Sequence, residues 1–219
     1  MSQITLVRHG QAQTQAKDEQ SYDQLSDLGH TQATWLGQHL VELGEEFDHV
    51  FCGTLRRHRE TADSMQAASH ATIIEDARLN ELEYFGLAQK METQHGLPIP
   101  NEREGFLTHL PTVFSAWEQG IIADPVETFE EFETRVGEML QTFRTLDGRV
   151  LVITSGGWIG NFMRQTLGLD MHGFSRICLS IKNTSLHQWT PLGDTLALTH
   201  FNGVPHLDRR DRQYAQTYL

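Results

Sequence analysis

The feature that most constrains this chain is the run Ile4-Thr5-Leu6-Val7, followed at once by Arg8-His9-Gly10. An unbroken apolar and β-branched run reads as a strand buried on both faces, and such strands belong to parallel sheets covered by helices on either side. The strand ends on an arginine, a histidine and a glycine. A guanidinium can hold a phosphate through two parallel hydrogen bonds, and an adjacent imidazole can attack phosphorus or pass a proton. A tripeptide alone decides nothing, so its weight comes from the segments that follow.

Leu25-Ser26-Asp27 supplies capping residues before a helix whose Ala33, Leu36, Leu40 and Leu43 recur at helical spacing and which stops at Gly44. A strand around Val50-Phe51-Cys52 comes next. Thr54 then offers an N-cap to a second helix over residues 55–68, and Thr72-Ile73-Ile74 reads as another short strand. This βαβαβ alternation predicts an α/β fold, a three-layer α/β/α sandwich with a mostly parallel central sheet. Over residues 88–125 the pattern loosens. Pro98, Pro100, Pro111 and Pro125 break it up, while Phe106, Leu110, Phe114 and Trp117 suggest short amphipathic helices between the breaks. We expect an insertion there, over the sheet edge and the active site of a single domain spanning residues 1–219. A long helix over 129–146, the strand Val150-Leu151-Val152-Ile153-Thr154 and a helix over 157–167 follow. Residues 177–181, 185–189 and 196–201 read as strands that finish the sheet.

With 219 residues, 38% of them hydrophobic, the chain can bury a full core. Its formal net charge of −12 gives no basic footprint for nucleic acid and no polybasic segment for a membrane. An anionic substrate must therefore meet a local basic pocket. Cys52 and Cys178 are far apart and form no C-x-x-C pair, so they read as two core thiols. No H-x-x-x-H or H-x-H pair occurs among the twelve histidines, and we expect neither a metal site nor a cofactor. The absence of a signal-like or membrane-spanning apolar stretch leads us to expect a soluble, cytoplasmic protein.

Three strand ends carry unusual polar residues: Arg8-His9-Gly10, Gly53-Thr54-Leu55-Arg56-Arg57 and Ser155-Gly156-Gly157. In open α/β sheets ligands bind outside the carboxyl ends of the strands, so these segments can reach one point. With Thr54 as N-cap, Arg57 falls at the third helical position, where unpaired N–H groups and the helix dipole favour an anion. Gly156 and Gly157 allow a second helix N-terminus to approach closely. A phosphate site is the expectation.

The ordered set of segments resembles the histidine phosphatase superfamily, the group that includes cofactor-dependent phosphoglycerate mutase. Leu6-Val7-Arg8-His9-Gly10 is similar to its opening motif, Leu25-Ser26-Asp27-Leu28-Gly29 with Gln32-Ala33 to its first helix, and Leu55-Arg56-Arg57 with Thr61-Ala62 to its second arginine motif. Leu79-Asn80-Glu81 through Gly86 resembles the segment carrying the acid, Asn183-Thr184-Ser185 the late strand, and Asn202 with His206-Leu207 the ending. The resemblance implies a phosphoglycerate mutase-like fold, with His9 as the nucleophile that takes a phosphoryl group. It implies that Arg8 and Arg57 clamp the phosphoryl oxygens and that Glu81, rather than Glu83, protonates the leaving oxygen. Two guanidiniums can supply charge stabilisation that other phosphotransferases take from magnesium.

Two positions depart from the family pattern. Ser155 stands where the family usually carries a second histidine, so a hydroxyl donor replaces a cationic one. Gln15 stands where the mutases commonly carry a phosphate-touching asparagine. Gln15, Ser155 and Gly156 join Arg8 and Arg57 as expected phosphate-binding residues. Restoring histidine at position 155 should then raise kcat, unless Trp158 or a histidine from another segment already fills the space. The expected function is a metal-independent phosphatase acting on a phosphate monoester of a small metabolite through a phosphohistidine. The alternatives are a phosphoglycerate mutase-type phosphotransferase and a catalytically weak phospholigand-binding protein.

Overall fold

Side chains alternate across the pleat of a strand, and this alternation sorts the apolar residues of the central strands into two cores. Ile4, Leu6, Val150 and Val152 point to one face of the sheet; Val7, Val50, Leu151 and Ile153 point to the other. The computed structural model describes residues 1–13 and 19–218. Its strands are β1 (Gln3–Arg8), β2 (His49–Cys52), β3 (Ile73–Glu75), β4 (Arg149–Thr154), β5 (Leu186–Leu192) and β6 (Thr195–Gly203). Among the described residues they form one six-stranded sheet in the order β3-β2-β4-β1-β5-β6. The four strands from β3 to β1 are parallel, and β5 and β6 add an antiparallel edge.

Helices cover both faces. A single turn, α1 (Glu19–Tyr22), precedes α2 (Asp27–Glu42), which with α3 (Arg56–Ser64) packs on the Leu151 and Ile153 side. The opposite face carries α4 (Tyr84–His95), α5 (Arg103–Glu118), α6 (Phe129–Thr145), α7 (Gly156–Leu167) and α8 (Met171–Ser180). The architecture is the three-layer sandwich expected from the alternation. Local chemistry fixes several helix starts. Ser26 accepts a hydrogen bond from the Gly29 N–H at 3.1 Å, and Thr128 and Glu131 close a capping box on α6.

Three local readings change. Residues 177–181 are not a strand, since Ile177 and Cys178 lie in the last turns of α8. Asp170 starts that helix by accepting from the Gly173 N–H at 2.7 Å, and Phe174 and Cys178 share its buried face. A short apolar run does not by itself separate strand from buried helix. Pro111 does not break its segment but lies inside α5. The carbonyl it leaves without a partner belongs to the exposed Leu107, while Leu110, Val113, Phe114 and Trp117 are buried. Finally, α5 packs on the helical layer rather than on the sheet edge. Phe114 stacks on Phe174 of α8 at 4.9 Å, and Trp117 meets Phe129 of α6 edge-on at 5.1 Å.

Candidate active site

β1 and β4 pair with Arg8 opposite Thr154, so the next residues, His9 and Ser155, leave the sheet side by side. The His9 N–H donates to the Thr154 carbonyl at 2.9 Å. Gly10 then passes so near α2 that a Cβ on it would lie 2.5 Å from the Gly29 carbonyl oxygen, and a Cβ on Gly29 would lie 2.1 Å from the Gln11 oxygen. The two glycines are required by one backbone contact. Thr61 of α3 accepts from the Gly10 N–H at 3.0 Å and donates to the Arg57 carbonyl at 2.7 Å, tying the loop to the second arginine motif.

His9 is buried, and its Nδ1 lies 2.7 Å from the Gly10 carbonyl oxygen. A carbonyl can only accept, so Nδ1 carries the proton of that bond. Burial, followed by the charges of Arg57, Arg8 and His58, holds the ring well below the usual imidazole range. The ring is therefore neutral at pH 7, with its lone pair on Nε2. That is the protonation state a nucleophile needs.

Arg8 donates through Nη1 to the Ile181 carbonyl, and its buried Nε has no hydrogen-bond partner among the described residues. Arg57 is fully buried; it pairs with Asp23 at 3.2 Å and lies over the Tyr22 ring at 5.1 Å. Its neighbours Arg56 and Arg59 lie at the surface, paired with Glu60 and Glu75. The start of α3 differs from expectation. Its N-cap is Leu55, Arg57 is the second helical residue, and Thr54 instead accepts from the Asn80 Nδ2 at 2.7 Å. The Asp23 carboxylate accepts from the N–H groups of Arg56 and Arg57, at 3.0 and 3.2 Å. An internal anion therefore already occupies this helix end.

Glu81 sits at the start of α7, its carboxylate accepting from the Gly157 N–H and the Leu82 N–H, each at 3.0 Å. A Cβ on Gly157 would lie 2.5 Å from that carboxylate, which explains the glycine. Arg135 of α6 holds this segment from behind, donating to the carbonyls of Arg78, Asn80 and Glu81 while paired with Glu127. Glu83 precedes α4 and packs its carboxylate beside Gly86. A cleft of about 500 Å³ brings Arg8, Arg57, Glu81 and Gly156 together, whereas neither Glu83 nor the buried His9 is among its lining residues. Its other wall is aromatic and apolar: Tyr22, Tyr84, Phe85, Phe106, Leu110 and Phe114. Among the described residues no group of three His, Cys, Asp or Glu is placed to hold a metal ion.

A family model for the histidine phosphatase superfamily (branch 1) matches residues 4–203. The chain belongs to the histidine phosphatase superfamily. Over 216 residues it is 29% identical to a probable phosphoglycerate mutase GpmB of Klebsiella pneumoniae, covering 95% of this chain and 96% of that protein. It is 30% identical to the protein of the same description in Citrobacter koseri, at the same coverage. A phosphoserine phosphatase mutant of Entamoeba histolytica, solved with phosphoserine, has a similar fold. Its TM-score is 0.69 at 16% identity, covering 94% of this chain and 100% of that one.

Within this family frame the remaining expected residues divide. Gly156 lines the cleft. Ser155 is fully buried behind it, its Oγ 2.6 Å from Nε2 of His58. Gln15 lies outside the described residues. Trp158 donates its indole N–H to the Arg78 carbonyl at 2.8 Å and stacks its ring on Phe162. His58 is a histidine from another segment that lies against Ser155. Asp23, His58 and Arg135 carry no local signal, since Asp23 reaches α3, His58 reaches Ser155 and Arg135 reaches the Glu81 segment across long stretches of chain. No helix of the described chain is long and apolar enough to cross a membrane.

Proposed function

We propose that the protein is a metal-independent phosphatase that hydrolyses a phosphate monoester of a small molecule, working in the cytoplasm. The observation that carries this reading is the fixed tautomer of His9. Its Nδ1–H is held by the Gly10 carbonyl, which leaves the lone pair on Nε2, and the charges of the buried Arg57 and Arg8 act on the ring. In the first step that lone pair forms the N–P bond as the ester P–O bond breaks. The leaving oxygen takes a proton from Glu81, while Arg8 and Arg57 hold the equatorial oxygens. In the second step the Glu81 carboxylate takes a proton from water, the water oxygen bonds to phosphorus, and the N–P electron pair returns to Nε2. Inorganic phosphate leaves, and both groups are reset.

The leaving group would face the wall of Tyr84, Phe85, Phe106, Leu110 and Phe114. An aromatic or otherwise apolar alcohol suits such a wall best, since burying apolar surface contributes roughly 25 cal/mol per Å². The names of the relatives favour a second reading, a phosphoglycerate mutase-type phosphotransferase. Among the described cleft residues, however, the cations are Arg8 and Arg57, both assigned to one phosphoryl group. A substrate with a carboxylate and a second phosphate asks for more. The experiment is phosphate release from a panel of monoesters, aryl phosphates and phosphorylated sugar acids included, with His9→Ala as control. Turnover of apolar esters that His9→Ala abolishes supports the phosphatase. A long-lived phosphoenzyme that returns its phosphoryl group to a sugar acid would establish the mutase.

A further inference from the structure

Behind the cleft, His9, Ser155 and His58 form a cluster that the mechanism above leaves partly unused. Ser155 follows the strand paired with β1, and the His58 ring centroid lies 5.7 Å from that of His9. Both Ser155 and His58 are fully buried, and His58 Nε2 lies 2.6 Å from Ser155 Oγ. A hydroxyl has one proton to give. Which partner donates in this bond therefore decides whether the serine has a donor left for a substrate.

Nδ1 of His58 settles the direction. It is buried without a hydrogen-bond partner among the described residues. It also lies against Gly53, where a built Cβ would come 2.1 Å from it, so one Cα hydrogen of Gly53 points at this nitrogen. An N–H at that place would push hydrogen against hydrogen, whereas a lone pair accepts the C–H contact. Burial and the adjacent Arg57 charge keep the ring neutral, so its single proton sits on Nε2. Nε2 then donates to the serine oxygen. Among the described residues the Ser155 hydroxyl makes no hydrogen bond besides the one with His58, not even a capping bond to α7, so with His58 donating its own proton is uncommitted there.

Resting on the reading of His9 as phosphoryl acceptor, we propose that His58 and Ser155 form a relayed donor. His58 Nε2–H holds the serine oxygen, and the Ser155 hydroxyl donates to an oxygen of the phosphoryl group on His9. No proton is transferred; the bond strengthens as charge builds on that oxygen. Ser155 is the contacting group and His58 its positioning residue, so an imidazole near the phosphoryl site is supplied from α3 rather than from the end of β4. A donor that matters most in the transition state affects kcat more than KM.

Nitrogen-15 NMR of the histidine side chains in the folded wild-type protein reads the tautomer without any substrate. His58 protonated at Nε2 and bare at Nδ1 is expected, and the opposite tautomer overturns the relay. On an aryl phosphate, Ser155→Ala and His58→Leu should each lower kcat by roughly ten- to a thousandfold with little change in KM. The double variant should be no worse than either single one, because the two act as a unit. His58→Gln, whose amide can donate to the same oxygen, should recover part of the loss. Additive losses, or unchanged kcat in a Ser155→Ala protein with a normal thermal melt, overturn the proposal. Wild type without turnover above the His9→Ala control would defeat the phosphatase reading instead, while the tautomer would still decide the relay.

Discussion

At the scale of single residues, the roles assigned to Glu81 and Ser155 lead to separable outcomes. Glu81→Gln should slow esters of poor leaving groups by roughly a hundred- to ten-thousandfold, and an activated aryl phosphate far less, because its leaving oxygen hardly needs a proton. Steady-state kinetics on both ester types checks this; equal losses would mean that Glu81 acts only through the Gly157 contact. Ser155→His on its own should fail to raise kcat, the exception the sequence reading allows for, because His58 already occupies the neighbouring space. His58→Ala combined with Ser155→His frees that space and should outperform Ser155→His alone. Arg8, His9, Arg57 and Glu81 could be picked out from the chain because each sits in a short local pattern at a strand or loop end. His58 could not, since its partners Gly53 and Ser155 become neighbours only when β2, β4 and α3 assemble.

At the scale of elements, the start of α3 is held by a residue that precedes it by more than thirty positions. Asp23→Ala should remove the cap and one partner of Arg57 together, lowering stability by about 1–2 kcal/mol or more. At roughly 2–4 °C per kcal/mol for a chain of this size, a thermal melt detects it. Asp23→Asn, which still caps a helix but carries no charge, should lose less; identical losses would mean that capping contributes nothing. Long periodic elements such as α2 and α6 were legible because caps and spacing agree within one stretch of sequence. The end of α8 and the continuity of α5 through Pro111 were not. There the packing of Phe174 and Phe114 against each other outweighs local preference, and only the folded molecule contains that contact.

At the scale of the whole molecule, buried histidines give stability a steep acid side. His9 and His58 are held well below 6.5, and His187 and His206 are lowered to about 3, by burial first in every case. Above pH ~6.5 neither folded nor unfolded chain binds the extra protons. Below it the unfolded chain binds them and the folded chain does not. Stability therefore falls as the pH drops toward the folded values, by about 1.4 kcal/mol per pH unit for each such group. His206→Gln, keeping a donor toward Thr184, should flatten the decline measured by denaturant unfolding between pH 6 and 5 by about that amount. An unchanged slope would place the lost stability elsewhere. The order of the layers was readable in the alternation of strands and helices, but the division of labour around the cleft was not. Arg8 and Gly156 reach the cleft from the ends of β1 and β4, whereas its aromatic side belongs to α4 and α5, and α5 is anchored on other helices. Inheritance can act on these two parts at different tempos: mutations along Phe106 and Leu110 can reshape the aromatic wall while the strand ends pass unaltered from ancestor to descendant.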